Sequence, residues 1–303
     1  MKHRIQIPSW VRQHRYPYTS WREIPENKLQ ELRNGLARFL TARPVVSIVI
    51  PVWNEEKNLV RTLSTFASME IPVPTELIIV NNNSTDATQE ILDKLGVRTV
   101  METRQGIAHA RLAGLRASRG EYELCGDGDS MYPPRWIKTM LRALQQEDVT
   151  CVYGNYSFLP TARSSRVALG AYEIMAESLF EFRRLRREFL NVRGANFGFR
   201  TAEGIAVKGF EMPVTRVFDN DEKSGKFVVF GEDGRMGRKL GELGKLKLVR
   251  SPHARIWTSS RRLLKDGSLF NAFMKRIGKE TGRLMEYAAG PKKLTHTTDS
   301  FHA

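Results

Sequence analysis

Residues 123–136 read ELCGDGDSMYPPRW, an apolar pair, Leu124-Cys125, running straight into two aspartates separated by one glycine, Asp127 and Asp129. A Tyr132-Pro133-Pro134 turn follows, and then apolar residues at helical spacing: Trp136, Ile137, Met140, Leu141 and Leu144. Proline is at home in a helix's first turn, where the backbone N–H has no partner within the helix. The stretch therefore reads as strand, acidic loop, helix. Alone, Asp-Gly-Asp is also the signature of an ordinary turn, so its meaning depends on its surroundings.

Working outward toward the N-terminus, the same alternation recurs. Val46-Ser47-Ile48-Val49-Ile50 is a β-branched run of the kind that is covered on both faces. Leu59, Leu63 and Phe66 then fall at helical spacing, and Glu76-Leu77-Ile78-Ile79-Val80 is a second buried strand. NNNSTD at 81–86 supplies turn and cap chemistry for a helix through Ile91, Leu92 and Leu95. A third strand at 97–100, a helix at 107–117 and a fourth strand at 122–125 complete the series. Repeated βα units imply an α/β fold with a mostly parallel central sheet, whose ligands bind at the strands' C-terminal edge.

Before this region, residues 1–44 read as a helical extension, with Pro25 near the helix start, Leu29, Leu32, Leu36 and Leu40 along one face, and Arg43-Pro44 as the stop. After it the pattern is less regular. Cys151-Val152-Tyr153 reads as a fifth strand, and 166–190 as a helix with Ile174, Met175, Leu179, Phe182, Leu185 and Phe189 on one stripe. Arg183, Arg184, Arg186 and Arg187 lie beside that stripe. GANFGFR, GEDGRMGRKL and the strand-like HARIWTSSRR come next, then a short basic helix through Phe273, Met274, Ile277 and Leu284 and a disordered tail.

Composition narrows the class. Lys and Arg number 48 against 33 Asp and Glu, a net charge of +15, which draws in polyanions without choosing among them. The two cysteines, Cys125 and Cys151, form neither a metal spacing nor a disulfide framework, which points to a reducing, cytoplasmic setting. No apolar run approaches the roughly 20 residues that span a bilayer, and MKHRIQIPSW lacks a signal peptide's apolar core. The first βα turn, PVWNEE, has no GxGxxG, and GxxxxGK[ST], HExxH and GxSxG are absent throughout. What the strand ends carry instead is polar and acidic: Asn54-Glu55, Asn82-Asn83, Asp127 and Asp129. Carboxylates beside a diphosphate repel it unless a cation lies between them, and hard oxygen ligands suit Mg²⁺ or Mn²⁺.

Together, SIVIPVWNEEKNLVRTL, ELIIVNNNSTDATQEIL and RQGIAHARLAGLRASRGEYELCGDGDSMYPPRW resemble the nucleotide-binding half of the family 2 glycosyltransferases, and the likeness runs on to WTSSRR. The resemblance implies a single A-type glycosyltransferase fold over 45–262, with a nucleotide-sugar-binding half at 45–150 and an acceptor half at 151–262, leaving 263–303 as a basic helix and tail. By the same resemblance Pro51, Trp53 and Glu55 line the base and ribose pocket, and Asn82 stands where an aspartate usually reads the uracil N3–H. Arg104 and Arg111 fall where residues face the nucleotide or its phosphates. Asp127 and Asp129 match the DxD motif: Asp129 as ligand to Mn²⁺ or Mg²⁺, Asp127 toward the ribose or the ion, with His253 as a further ligand in some relatives. Asp233 is the implied general base, with Glu232 and Asn196 positioning the acceptor, while Arg261 and Arg262 resemble the basic patch for the leaving diphosphate. The family's usual Trp after that arginine is missing; Trp257 precedes it instead.

The implied reaction is inverting transfer of a sugar from a nucleotide-diphospho-sugar, UDP-linked by preference, to an acceptor hydroxyl in cell-surface polysaccharide or glycolipid synthesis. The basic surplus suits a peripheral enzyme at the inner face of the membrane with a saccharide or lipid-linked acceptor. A sugar-nucleotide nucleotidyltransferase would carry a Gly-rich basic loop where PVWNEE stands, and a basic nucleic-acid-binding protein would need a reading module that is not seen. A donor-binding member without activity also stays open, because of Asn82.

Overall fold

A computed structural model describes residues 6–161, 164–185, 187–212 and 231–261, with isolated positions between 263 and 278. Arg186, Arg262, Phe273, Leu284 and the tail lie outside the described residues. The chain opens with α1 (Ser9–Gln13) and α2 (Glu26–Ala37), then alternates β1 (Val46–Val52), α3 (Leu59–Ala67), β2 (Thr75–Asn81), α4 (Thr88–Leu95), β3 (Arg98–Met101), α5 (Ile107–Ala117) and β4 (Tyr122–Gly126). A two-residue strand, β5 (Ser130–Met131), separates the acidic loop from α6 (Trp136–Leu144). The second half contributes β6 (Val149–Gly154), β7 (Tyr156–Leu159), α7 (Arg166–Arg184), β8 (Asn196–Arg200), α8 (Thr201–Ala206), α9 (Glu232–Leu243), β9 (Lys245–Val249) and β10 (Ile256–Ser259).

Seven strands form the main sheet in the order β3-β2-β1-β4-β8-β6-β9. All pairings are parallel except those of β8, which runs antiparallel to both β4 and β6. Alternate residues of a strand face opposite sides. Ile48, Ile50, Leu77, Ile79 and Leu124 pack on one side with Leu63, Phe66, Trp136 and Met140, while Val49, Ile78 and Val80 meet Ala110 of α5 on the other. Burial on both faces is why β1, β2 and β4 appear in the sequence as largely apolar runs without alternation. A second sheet, β5-β10-β7, closes one flank. Chain order reverses between β1 and β4, and this switch point opens a crevice at their C-terminal ends.

Two expectations need correction. The N-terminal helix ends at Ala37, short of Arg43-Pro44, and Leu40 is 64% exposed; Leu29, Leu32 and Leu36 do pack into the main core. The helix expected over 166–190 ends at Arg184, and the buried face of α7 is Leu169, Tyr172, Ala176 and Phe180. Ile174, Met175, Phe182 and Leu185 point outward instead, Leu185 being 77% exposed. The glycines of the acidic loop are closely packed: a Cβ on Gly126 would lie 2.3 Å from Tyr132 Oη, and one on Gly128 would lie 2.7 Å from Val52 Cγ1. Among the described residues, no helix is long and apolar enough to cross a membrane.

Candidate active site

Over the switch point lies a cleft of about 530 Å³, walled by the loops that follow β1, β2 and β4 and by the start of α9. Pro51, Trp53, Glu55, Asn82, Arg111, Asp127, Asp129, Glu232 and Asp233 all line it, although they span most of the described chain. The loop after β1 is locked to the loop after β2. Asn54, in a left-handed conformation that asparagine tolerates, accepts the Thr85 N–H at 2.8 Å and donates its own N–H to Ser84 Oγ at 3.0 Å. Glu55 donates its N–H to Thr88 Oγ1 at 2.9 Å, and its carboxylate accepts from Asn58 Nδ2 at 2.8 Å. Trp53 is half exposed on the cleft wall, where it can stack against a ring.

The acidic loop is held from beneath. Tyr132, buried, accepts the Asp127 N–H at 2.7 Å and reaches the carbonyls of Asp127 and Ala195 at 3.3 and 3.2 Å. Thr62 donates to the Gly128 carbonyl at 2.8 Å. Asp129 is buried, with Thr258 Oγ1 at 3.4 Å from one carboxylate oxygen and Arg261 Nη2 at 3.3 Å from the other. The same Arg261 nitrogen contacts Glu55. Burial disfavours the Arg261 charge, but Glu55 and Asp129 more than offset it and hold its pKa above the ordinary value.

Arg111 does not present itself to a ligand from a helix surface. It is fully buried, donating to Asp127 Oδ1 at 2.8 Å and to the Gly126 carbonyl at 3.3 Å, with Glu232 Oε1 3.5 Å from its Nε. Burial opposes its charge, and Asp127 together with Cys125, Glu232 and Asp233 reverses that and drives the pKa upward. Gly194 makes room: a Cβ there would lie 2.5 Å from Arg111 Nη2. The Gly194 N–H donates to Asp233 Oδ2 at 2.9 Å, and Asp233 Oδ1 accepts the Gly234 N–H at 2.6 Å. The two acidic neighbours therefore differ. Asp233 is fixed by backbone donors, whereas burial and then the Asp233 charge push Glu232 up to about 7, with Arg111 pulling the other way. Sequence reasoning missed Gly194, whose only signal there is its place in GANFGFR.

Several expected site residues are engaged elsewhere. Asn82 donates to the Glu102 and Arg104 carbonyls at 2.9 and 2.8 Å and accepts the Gly106 N–H at 2.7 Å, an arrangement that fixes which way the amide faces. It pins the loop at 102–106, and its Oδ1 keeps one lone pair for a further donor. Arg104 folds back on Glu102, at 3.0 and 2.9 Å, and does not line the cleft. Asn196 is fully buried, bonded to Trp136 Nε1 at 2.9 Å and to the carbonyls of Asn155 and Ala254 at 3.0 and 2.8 Å, and does not line the cleft. His253 sits exposed in a short turn, and among the described residues no three His, Cys, Asp or Glu side chains converge as a metal cage. Arg262 lies outside the described residues.

A mostly parallel sheet with one antiparallel insertion, an acidic loop at the switch point and a second acidic pair facing it define an A-type glycosyltransferase fold. The crystal structure of S. aureus TarS 1-349 in complex with UDP-GlcNAc shares this fold, with a TM-score of 0.50 and 16% identity over 71% of this chain and 58% of that one. The glycosyl transferase family 2 model matches residues 47–203, and the chain belongs to that family. Among curated relatives, the dolichol-phosphate mannosyltransferase of Mycosarcoma maydis is 33% identical over 116 residues, covering 34% of this chain and 40% of the relative. The undecaprenyl-phosphate 4-deoxy-4-formamido-L-arabinose transferase of Pseudomonas aeruginosa is 33% identical over 115 residues, covering 35% of this chain and 34% of the relative. The chain thus spans well under half the length of either.

Proposed function

We propose that this chain transfers a sugar from a nucleoside-diphospho-sugar, UDP-linked by preference, to a hydroxyl or phosphate oxygen of a lipid-linked or saccharide acceptor, with inversion at the anomeric carbon. The observation that carries the reading is the meeting in one cleft of Asp127 and Asp129, from the end of β4, with Glu232 and Asp233, from the start of α9. On this reading, Trp53 and Pro51 pack against the base and Glu55 bonds the ribose. Asn82 offers its remaining lone pair to a ring N–H of the base, which uracil and guanine possess.

A divalent ion fits the acidic loop. Arg261 already places one positive charge against Asp129 and Glu55, so these carboxylates are arranged around a cation. Asp129, with Asp127, would hold Mg²⁺ or Mn²⁺, and donor phosphate oxygens would supply the remaining ligands. Such an ion, when bound, neutralises charge on the departing diphosphate. The chain's own residues do the rest. Arg261 adds hydrogen bonds to the leaving oxygens. Asp233, held by Gly194 and Gly234, accepts the proton of an acceptor hydroxyl as its oxygen bonds to the anomeric carbon and the carbon–oxygen bond to the diphosphate breaks. An acceptor phosphate, already ionised, needs no such base. One side of attack gives one stereochemical outcome.

The relatives whose names carry polyprenol-phosphate substrates, the basic surplus and the outward apolar stripe of α7 support an acceptor met at the inner membrane face. A thermal-shift screen of UDP-, GDP- and dTDP-sugars with and without Mn²⁺ tests donor and class together. Stabilisation by a UDP-sugar that grows with Mn²⁺ is expected; no response to any nucleotide-sugar would end the transferase reading.

A further inference from the structure

Asn58 immediately precedes α3, the position at which an asparagine side chain ordinarily accepts from a free N–H of the first turn. Here it makes no such bond. Its Nδ2 instead donates to Glu55 Oε2 at 2.8 Å, and its Oδ1 accepts from Arg61 Nη2, in the first turn of the helix. Asn58 and Glu55 are both buried. A residue suited to capping is thus diverted to a carboxylate on the wall of the main cleft, a departure from local preference of the kind that functional sites carry.

What Glu55 presents explains the diversion. Of the two adjacent glutamates only Glu55 lines the cleft; Glu56 accepts the Ala87 N–H at 3.1 Å. The Glu55 backbone is fixed independently: its N–H reaches Thr88 Oγ1 at 2.9 Å, and its carbonyl accepts the N–H groups of Asn58 and Leu59 at 2.9 and 2.8 Å. Its carboxylate has two neighbours among the described residues. Asn58 donates to Oε2, and Oε1 meets Arg261, which also lies 3.3 Å from Asp129 Oδ2. Arg61 settles which end of the Asn58 amide faces Glu55. An arginine only donates, so it takes the amide oxygen and leaves the NH₂ for the carboxylate; a flipped amide would set two acceptors against each other.

We propose that Asn58 is a positioning residue for the nucleotide donor. By fixing Glu55 Oε2 it holds Oε1 ready for one hydroxyl of the ribose, and so sets the discrimination between UDP and a deoxy-UDP that lacks this hydroxyl. The assignment rests on the transferase reading and on the ribose role given there to Glu55. A carboxylate oxygen has room for a second donor, so Oε1 can accept from the ribose beside Arg261. Without Asn58 the carboxylate is free to rotate, and the ribose bond must then meet the cost of ordering it.

Calorimetric titration of UDP, 2′-deoxy-UDP and 3′-deoxy-UDP, each with Mn²⁺ present, into the intact chain and its Asn58→Ala and Asn58→Asp variants tests this. The wild type should bind UDP about 10- to 100-fold more tightly than at least one deoxy form, the range of one hydrogen bond to a charged group. In both variants that ratio should shrink to about 3-fold or less through weaker UDP binding, with the affinity for that deoxy form little changed. Asn58→Asp matches the native size and keeps an acceptor for Arg61, so it stays informative if Asn58→Ala unfolds; it removes the N–H from Glu55 and adds a like charge. An Asn58→Asp ratio equal to that of the wild type would overturn the proposal. So would an equal loss for all three nucleotides, which marks a purely structural role. A wild type that binds all three alike overturns the ribose role of Glu55 and this proposal with it, while the transferase reading stands. Absence of any nucleotide binding to the wild type ends both.

Discussion

Glu232 and Asp233 are neighbours in sequence with different chemistry. Asp233 is oriented by two backbone N–H donors, while Glu232 is largely shielded from water and pushed up to about 7. For transfer to a hydroxyl, replacing Asp233 by Asn should lower turnover about 10²- to 10⁴-fold with donor affinity little changed, as calorimetry and initial rates would reveal. Because the raised Glu232 pKa leaves its carboxyl protonated below about 7, the wild-type rate should fall as pH drops through that value; Glu232→Gln should erase the step. Glu123 is another buried carboxyl held near 7 by burial, with Ser118 and Cys125 as its hydrogen-bond donors at 2.8 and 3.3 Å. Its folded pKa lies above the unfolded one, so the folded state keeps a proton that the unfolded chain has lost, and stability drains away as pH rises from about 4.5 to 7. Urea unfolding of Glu123→Gln should therefore show a gain over wild type that grows by about 3 kcal/mol between pH 5 and 8. A pH-independent difference would place that proton elsewhere.

Elements are tied together by side chains as well as by ladders. Glu76 of β2 is buried and accepts from Ser47 of β1 at 2.7 Å, from Arg98 of β3, and from Arg119 Nε beyond α5 at 2.9 Å. Glu76→Ala would leave these donors without their acceptor. Since both arginines reach solvent, we expect a loss of about 2–3 kcal/mol in chemical denaturation rather than failure to fold. The sequence makes β1, β2 and β4 readable because each is buried on both faces and followed by helix periodicity. β8 and β9 escape such a reading: NFGFR has a glycine at its centre, packed so that a Cβ would lie 2.4 Å from Leu124, and KLKLV alternates as an edge strand does. Carboxylates at strand ends announce the site, whereas the partners of Asn82 and Asn196 are backbone carbonyls that only folding brings near.

At the scale of the whole molecule, a net charge of +15 coexists with an outward apolar stripe formed by Ile174 and Met175 of α7 and Leu185 at its C-cap. Vesicles rich in anionic lipid should retain the chain at low salt and release much of it near 0.5 M, on the order expected when the screening length shrinks to a few ångströms. Met175→Ser with Leu185→Ser should weaken retention further at equal charge. Sedimentation measures both, and retention indifferent to salt and to these changes would argue against a membrane-facing surface.

Glu55 and Arg261 stand 206 positions apart, yet they meet at the donor pocket. During synthesis the pocket's first wall emerges well before its counterpart. A nascent chain halted before β10 would lack both the guanidinium beside Asp129 and the strand that joins β5 to β7. Competence for the nucleotide is thus deferred until β10 has been made.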